Sequence, residues 1–94
     1  MMIRLLNTGP ANSEKNILVF PNPSTQDINV RITGYNETMK MVLYDLSGKK
    51  LREQSIEAFD PVTISVLTKH LAASTYLLVF KTSEGIITKK FIRQ

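Results

Sequence analysis

Residues 39–56 read MKMVLYDLSGKKLREQSI, and the fold turns on how this stretch is read. Met39, Met41 and Leu43 alternate with Lys40, Val42 and Tyr44 at the two-residue period of a β-strand, and 41–44 is apolar on both faces. A strand covered on both sides belongs inside a sheet or against a second layer. Asp45-Leu46-Ser47-Gly48 then turns the chain. The Asp45 carboxylate can accept from a backbone N–H two residues on, and Gly48 can supply the positive φ of a short hairpin loop with a glycine bulge. The return run, 49–56, surrounds Leu51 with Lys49, Lys50, Arg52, Glu53 and Gln54. That is the composition of an edge strand guarded against pairing with a neighbouring molecule. One central strand joined to one guarded edge implies a layered all-β domain.

The chain has 94 residues, enough for one domain. Hydrophobic residues make up 43% and charged residues 21%, in short apolar runs that suit a folded chain and not a disordered one. The net charge is +4 and the pI about 9.6. Lys49-Lys50 and Lys89-Lys90 are the only basic doublets, and no aromatics alternate with them as platforms for bases. Solvated strand faces are therefore expected, and no nucleic acid. With no cysteine there is neither a disulfide framework nor a thiolate metal site. No apolar run approaches the ~18–20 residues of a membrane span, and no signal peptide opens the chain. Met1-Met2-Ile3-Arg4 at the start suggests a C-terminal piece of a larger protein.

Taken in order, residues 1–15 are breaker-rich and read as a linker or arm, with 16–94 as the folded domain. Strands are expected at 16–20, 27–33, 41–44, 49–56, 62–66, 75–82 and 86–92. Pro21-Asn22-Pro23 stops the first, since two fixed φ angles push the chain out of the sheet. Ile28, Val30 and Ile32 form one face of the second. Leu67 and Leu71 lie four apart, so the break at 67–73 is expected to be one helical turn capped by Thr68, tucking both leucines under the core. The strand at 75–82 is apolar on both faces and central; Ser83-Glu84-Gly85 repeats the chemistry of the first turn. About seven strands at this spacing predict a two-layer antiparallel β-sandwich.

No catalytic or cofactor constellation emerges. His70 stands alone and is expected on the surface in a turn, with no metal site around it. The carboxylates form no close pair in an apolar setting, no serine sits in a nucleophile elbow, and the glycines are isolated. The expectation is a non-enzyme without cofactor or metal.

Four segments carry a resemblance. They are Ile17-Leu18-Val19-Phe20-Pro21-Asn22-Pro23; Leu43-Tyr44-Asp45-Leu46-Ser47-Gly48-Lys49-Lys50-Leu51; Leu71-Ala72-Ala73-Ser74-Thr75-Tyr76; and Gly85 through Lys89-Lys90-Phe91-Ile92. In this order the chain from about Ile17 to Gln94 resembles the C-terminal sorting domain, type A, of the type IX secretion system. Ser74 departs from the family's usual glycine and leaves the local turn geometry open. The resemblance implies a seven-stranded immunoglobulin-like sandwich at the end of a protein exported through the periplasm of Bacteroidetes-type bacteria. It also implies recognition by the translocon and an outer-membrane shuttle protein, then removal by a sortase-like cysteine protease. The resemblance further implies a cargo joined to anionic lipopolysaccharide on the cell surface, or released.

Within that resemblance, Pro21, Asn22, Pro23, Tyr44, Asp45, Gly48, Leu71, Tyr76 and Gly85 are expected to act first through structure, as strand stops, turn formers and core. Lys89, Lys90, Phe91, Ile92 and Arg93 are expected to dock on the machinery, as a positive stripe beside exposed apolar groups. Thr8, Gly9, Pro10, Ala11, Asn12 and Ser13 are the expected cleavage linker, because proteases bind extended chain. The rival reading is a surface-adhesion or carbohydrate-binding sandwich; a chain without tryptophan is poorly equipped to stack on sugar rings. An isolated domain could also dimerise through an unpaired edge or by swapping its last strand.

Overall fold

The computed structural model describes residues 14–94. Seven strands follow one another: β1 (Asn16–Phe20), β2 (Ile28–Thr33), β3 (Glu37–Asp45), β4 (Lys50–Ala58), β5 (Val62–Val66), β6 (Ser74–Thr82) and β7 (Gly85–Arg93). They form two antiparallel sheets, ordered β1-β2-β5 and β4-β3-β6-β7. This is the immunoglobulin-type arrangement with the fourth strand on the larger sheet. The two strands apolar on both faces, β3 and β6, lie side by side in the middle of that sheet, with polar β4 at one edge and β7 at the other.

Alternation sets what each strand buries. Ile28, Val30 and Ile32 of β2 are fully buried and meet Met39, Met41 and Leu43 of β3, Leu78 and Phe80 of β6, Ile56 of β4 and Phe91 of β7 in one cluster spanning both sheets. Each large side chain so buried contributes about 1.5–3 kcal/mol. Tyr35, in the connection between β2 and β3, is buried in the same cluster. Just before it, Gly34 has φ +81°, and a Cβ there would collide with the Glu14 carbonyl. Only glycine fits this crossing of backbones.

The hairpin forms as its residues dictate. The Asp45 carbonyl accepts from Gly48 N–H and Asp45 N–H donates to the Lys49 carbonyl, both at 3.1 Å, with Gly48 at φ +89°. This is the three-residue loop with a glycine bulge. The register then slips between Leu43 and Tyr44, which face Arg52 and Lys50.

One expectation fails. Residues 67–73 make no helix; a single turn closes from Leu71 N–H to the Thr68 carbonyl at 3.0 Å. The cap comes from elsewhere: Asp27 Oδ1 accepts from the N–H groups of Thr68 and Lys69 at 2.8 and 2.9 Å. Thr68 is itself buried, Leu71 packs against the core, and Leu67 stays 54% exposed. A distant carboxylate thus satisfies the donors that a helical turn would have left to a local cap.

Strand direction gives the sandwich two distinct ends. The first end holds Glu14 to Asn16, the β2–β3 and β4–β5 connections and the Ser83-Glu84 loop. The second holds the β1–β2 connection, the β3–β4 hairpin, the β5–β6 connection and the end of β7. A nine-residue strand separates them by about 30 Å.

Candidate functional site

Pro21, Asn22 and Pro23 end β1, and both X–Pro bonds, Phe20–Pro21 and Asn22–Pro23, are cis. Proline has no N–H for a ladder, so here the chain leaves the small sheet and crosses to the large one. Asn22 Oδ1 accepts from Ile92 N–H at 2.9 Å, and Asn22 Nδ2 donates to the Lys90 carbonyl at 3.2 Å. Ser24 continues the contact: its N–H donates to the Ile92 carbonyl and its carbonyl accepts from Gln94 N–H, both at 2.8 Å. Ser24 and Arg93 form a parallel bridge. Residues 22–24 therefore cover the outward edge of β7 where its last residues would otherwise expose their backbone.

Arg93 ties a third segment into this clasp. Its guanidinium donates to the carbonyls of Lys69 at 2.7 Å, Thr68 at 3.3 Å and Ser24 at 3.4 Å. A planar fork with five donors suits three carbonyls converging on one point. Two backbone N–H groups, from Lys69 first and then Thr68, hold the Asp27 carboxyl below its ordinary range. Ser24 and Thr68, the two buried polar residues among the described residues, both sit in this network.

Tyr76, near the start of β6, is 5% exposed and stacks on Phe91 with ring centres 5.5 Å apart. Its hydroxyl donates to the Ala72 carbonyl at 2.6 Å. A tyrosine that opens the sixth strand and bonds back to the approaching chain is the tyrosine corner of immunoglobulin-type sandwiches. Leu71, one residue earlier, packs on the core. Asp45 Oδ1 accepts from Ser47 N–H at 2.9 Å, Ser47 Oγ at 2.6 Å and Lys49 N–H at 3.0 Å. The Ser47 hydroxyl, then the Lys49 amide, lower its pKa.

All of these residues meet at the second end of the sandwich. Pro21, Asn22, Pro23, Asp45, Gly48, Leu71 and Tyr76 are gathered there, with Tyr44 beside them, although they are spread over 56 positions of sequence. Gly85 alone lies at the first end, where it opens β7 with φ +123°.

The C-terminal stripe divides between two faces. Phe91 is fully buried, and Lys89 and Arg93 share its inward side of β7, each half-buried. Lys90 and Ile92 point outward; Ile92 is 42% exposed. Across the ladder Lys90 is opposite Leu77 and Ile92 opposite Thr75, with Tyr44 opposite Leu77 on the next strand. An apolar band of Tyr44, Leu77, Val79 and buried Val42 thus runs beside the two outward side chains. The expected linker, residues 8–13, lies outside the described residues.

Charge also separates along the strands. Glu14, Glu37, Glu57, Asp60 and Glu84 lie at the first end with Lys15 and Lys81; Lys49, Lys50, Arg52, Lys69, Lys90 and Arg93 lie at the second with Asp27, Asp45 and Glu53. Those three second-end carboxylates are already engaged: Asp27 and Asp45 by backbone N–H groups, Glu53 by Lys50 at 2.8 Å and Lys40 at 3.0 Å.

A family model for the secretion system C-terminal sorting domain matches residues 18–94. The chain belongs to the type IX C-terminal sorting domain family. No curated protein matches it. The sorting domain is a β-sandwich export signal, and membership implies dealings with the type IX machinery and export towards the outer membrane or beyond. The segments that carried the resemblance in sequence are thus largely the segments that the fold assembles at one end. Sequence reasoning missed the part played by Arg93 and Asp27. No local signal announces either, because the carbonyls and N–H groups that they tie together across the fold lie 24 or more positions away. The tyrosine corner did leave a signal, in the spacing of Leu71 and Tyr76 at the mouth of a strand.

Proposed function

We propose that the sorting domain carries an address and performs no reaction. The translocon and an outer-membrane shuttle protein read the second end of the sandwich, with Lys89, Lys90 and Ile92 making contact. Phe91 and Arg93 act from within: one anchors β7 in the core, and the other clasps its end to the two neighbouring connections. One observation carries this reading. The proline-rich segment, the hairpin, the tyrosine corner and the last strand converge on one basic end, about 30 Å from where the described chain enters. A cargo ahead of residue 14 would leave that end clear.

On the same reading the domain is the last part of a larger exported protein. A sortase-like cysteine protease cuts within Thr8, Gly9, Pro10, Ala11, Asn12 and Ser13, and the cargo goes to the cell surface, joined to lipopolysaccharide, or to the medium. Lysine side chains against an outer-membrane partner give orientation and a fast encounter as much as affinity.

A periplasmic reporter fused ahead of residues 1–94 tests this in a type IX-competent strain. The reporter is expected outside the cell, separated from the domain by a cut between residues 8 and 13. A reporter held in the periplasm contradicts the address. An exported but uncut fusion contradicts the protease step alone.

A further inference from the structure

At the second end an open cleft of about 140 Å³ lies between the β3–β4 hairpin and the β5–β6 connection, lined by Leu43, Leu51, Arg52, Leu67, His70 and Leu71. Its floor is the buried Leu43, and its walls include Leu51 at 37% and Leu67 at 54% exposure. A cavity of similar size in another protein holds one benzene ring, so this cleft suits one large apolar side chain. Its rim is cationic. The Arg52 guanidinium makes a long contact of 3.4 Å with the Leu67 carbonyl and, among the described residues, has no carboxylate within 4 Å. No acidic residue lines the cleft.

We infer that this cleft is a second docking point, which takes a single leucine-sized side chain from an acidic, extended segment of a partner protein. Two features select that occupant. The apolar walls reward burial of one side chain, and Arg52 with its basic surroundings favours carboxylates on either side of it. Exposed leucines around a pocket with an unpaired arginine at the rim are the anatomy of an interaction site and not of a solvated turn. The inference deepens the address reading by giving it a second contact beside the β3–β4 hairpin, and its binding step stands apart from export.

The test is a titration of the isotope-labelled 94-residue chain, followed by amide NMR, with a short peptide holding one leucine between acidic residues. Its alanine-centred counterpart and a lysine-flanked leucine peptide are the controls. Shifts are expected at Arg52 and across residues 67–71, with at least tenfold weaker binding for both controls. Arg52→Gln and Leu67→Ser are each expected to weaken the acidic peptide severalfold, whereas Lys81→Gln at the first end leaves it unchanged. Amide spectra that stay dispersed show that each variant is folded. Equal binding of the alanine peptide, shifts centred elsewhere, the same shifts from inorganic phosphate, or no binding would each overturn the inference. So would a homodimer in sedimentation that Leu67→Glu dissolves, since a second copy would then be the occupant. Export that survives Leu67→Ser while peptide binding is lost removes the cleft from the address and leaves the address itself standing.

Discussion

Single side chains hold this fold at points where the backbone alone has no partner. Tyr76 is the clearest: its ring belongs to the core, and its hydroxyl fixes the Ala72 carbonyl on the approach to β6. Tyr76→Phe keeps the ring and removes the bond, so a loss of about 1 kcal/mol is expected in denaturant unfolding with the slope unchanged. Glu53 makes a different prediction. Its hydrogen bonds to Lys50 and then Lys40 bring its carboxyl from 4.5 down to about 2. Because the folded value lies below the unfolded one, the contribution of this cluster is present above about pH 4.5 and fades as the pH falls through about 2. Solvent exposure keeps that contribution small. A carbon-detected titration of Glu53 should give a midpoint near 2 that rises in Lys50→Met. A midpoint near 4.5 in the unaltered chain would mean that the two lysines do not hold it.

Among the elements, β7 depends on a cover that comes from the other end of the chain. Asn22 takes up the Ile92 N–H, so Asn22→Ala is expected to speed hydrogen exchange at Ile92 at least tenfold. Val79, within the β3–β6 ladder, should stay protected. Equal exchange at Ile92 in both proteins would mean that the edge has no such cover. What could be read in sequence follows the same division. The β3–β4 hairpin was legible because Asp45 and Gly48 act on their own neighbours, and the strands were legible from alternation or from an unbroken apolar run. Residues 67–73 were not, because the cap on Thr68 and Lys69 is Asp27, 41 positions away. For β7 the two-residue period shows which residues share a face. It could not tell which face is covered, and so Phe91 and Arg93 looked available when one is core and the other a clasp.

The whole molecule has a direction. The described chain enters at an acidic end, and the family's segments gather at a basic one, an arrangement that orients the domain in the field of an oppositely charged partner. Deleting the last residues would be a poor test of this idea, since it also removes Arg93 and the contacts to Ser24. Charge reversal that leaves Arg93 and its contacts in place is cleaner. The decisive measurement is export of a reporter fused ahead of the domain in a type IX-competent strain, comparing Lys89→Glu with Lys90→Glu against Lys81→Glu at the opposite end. With both variants folded, the account predicts that the first pair holds the reporter in the periplasm while Lys81→Glu is exported as the unaltered domain is. Equal export of both, or equal loss in both, would contradict it.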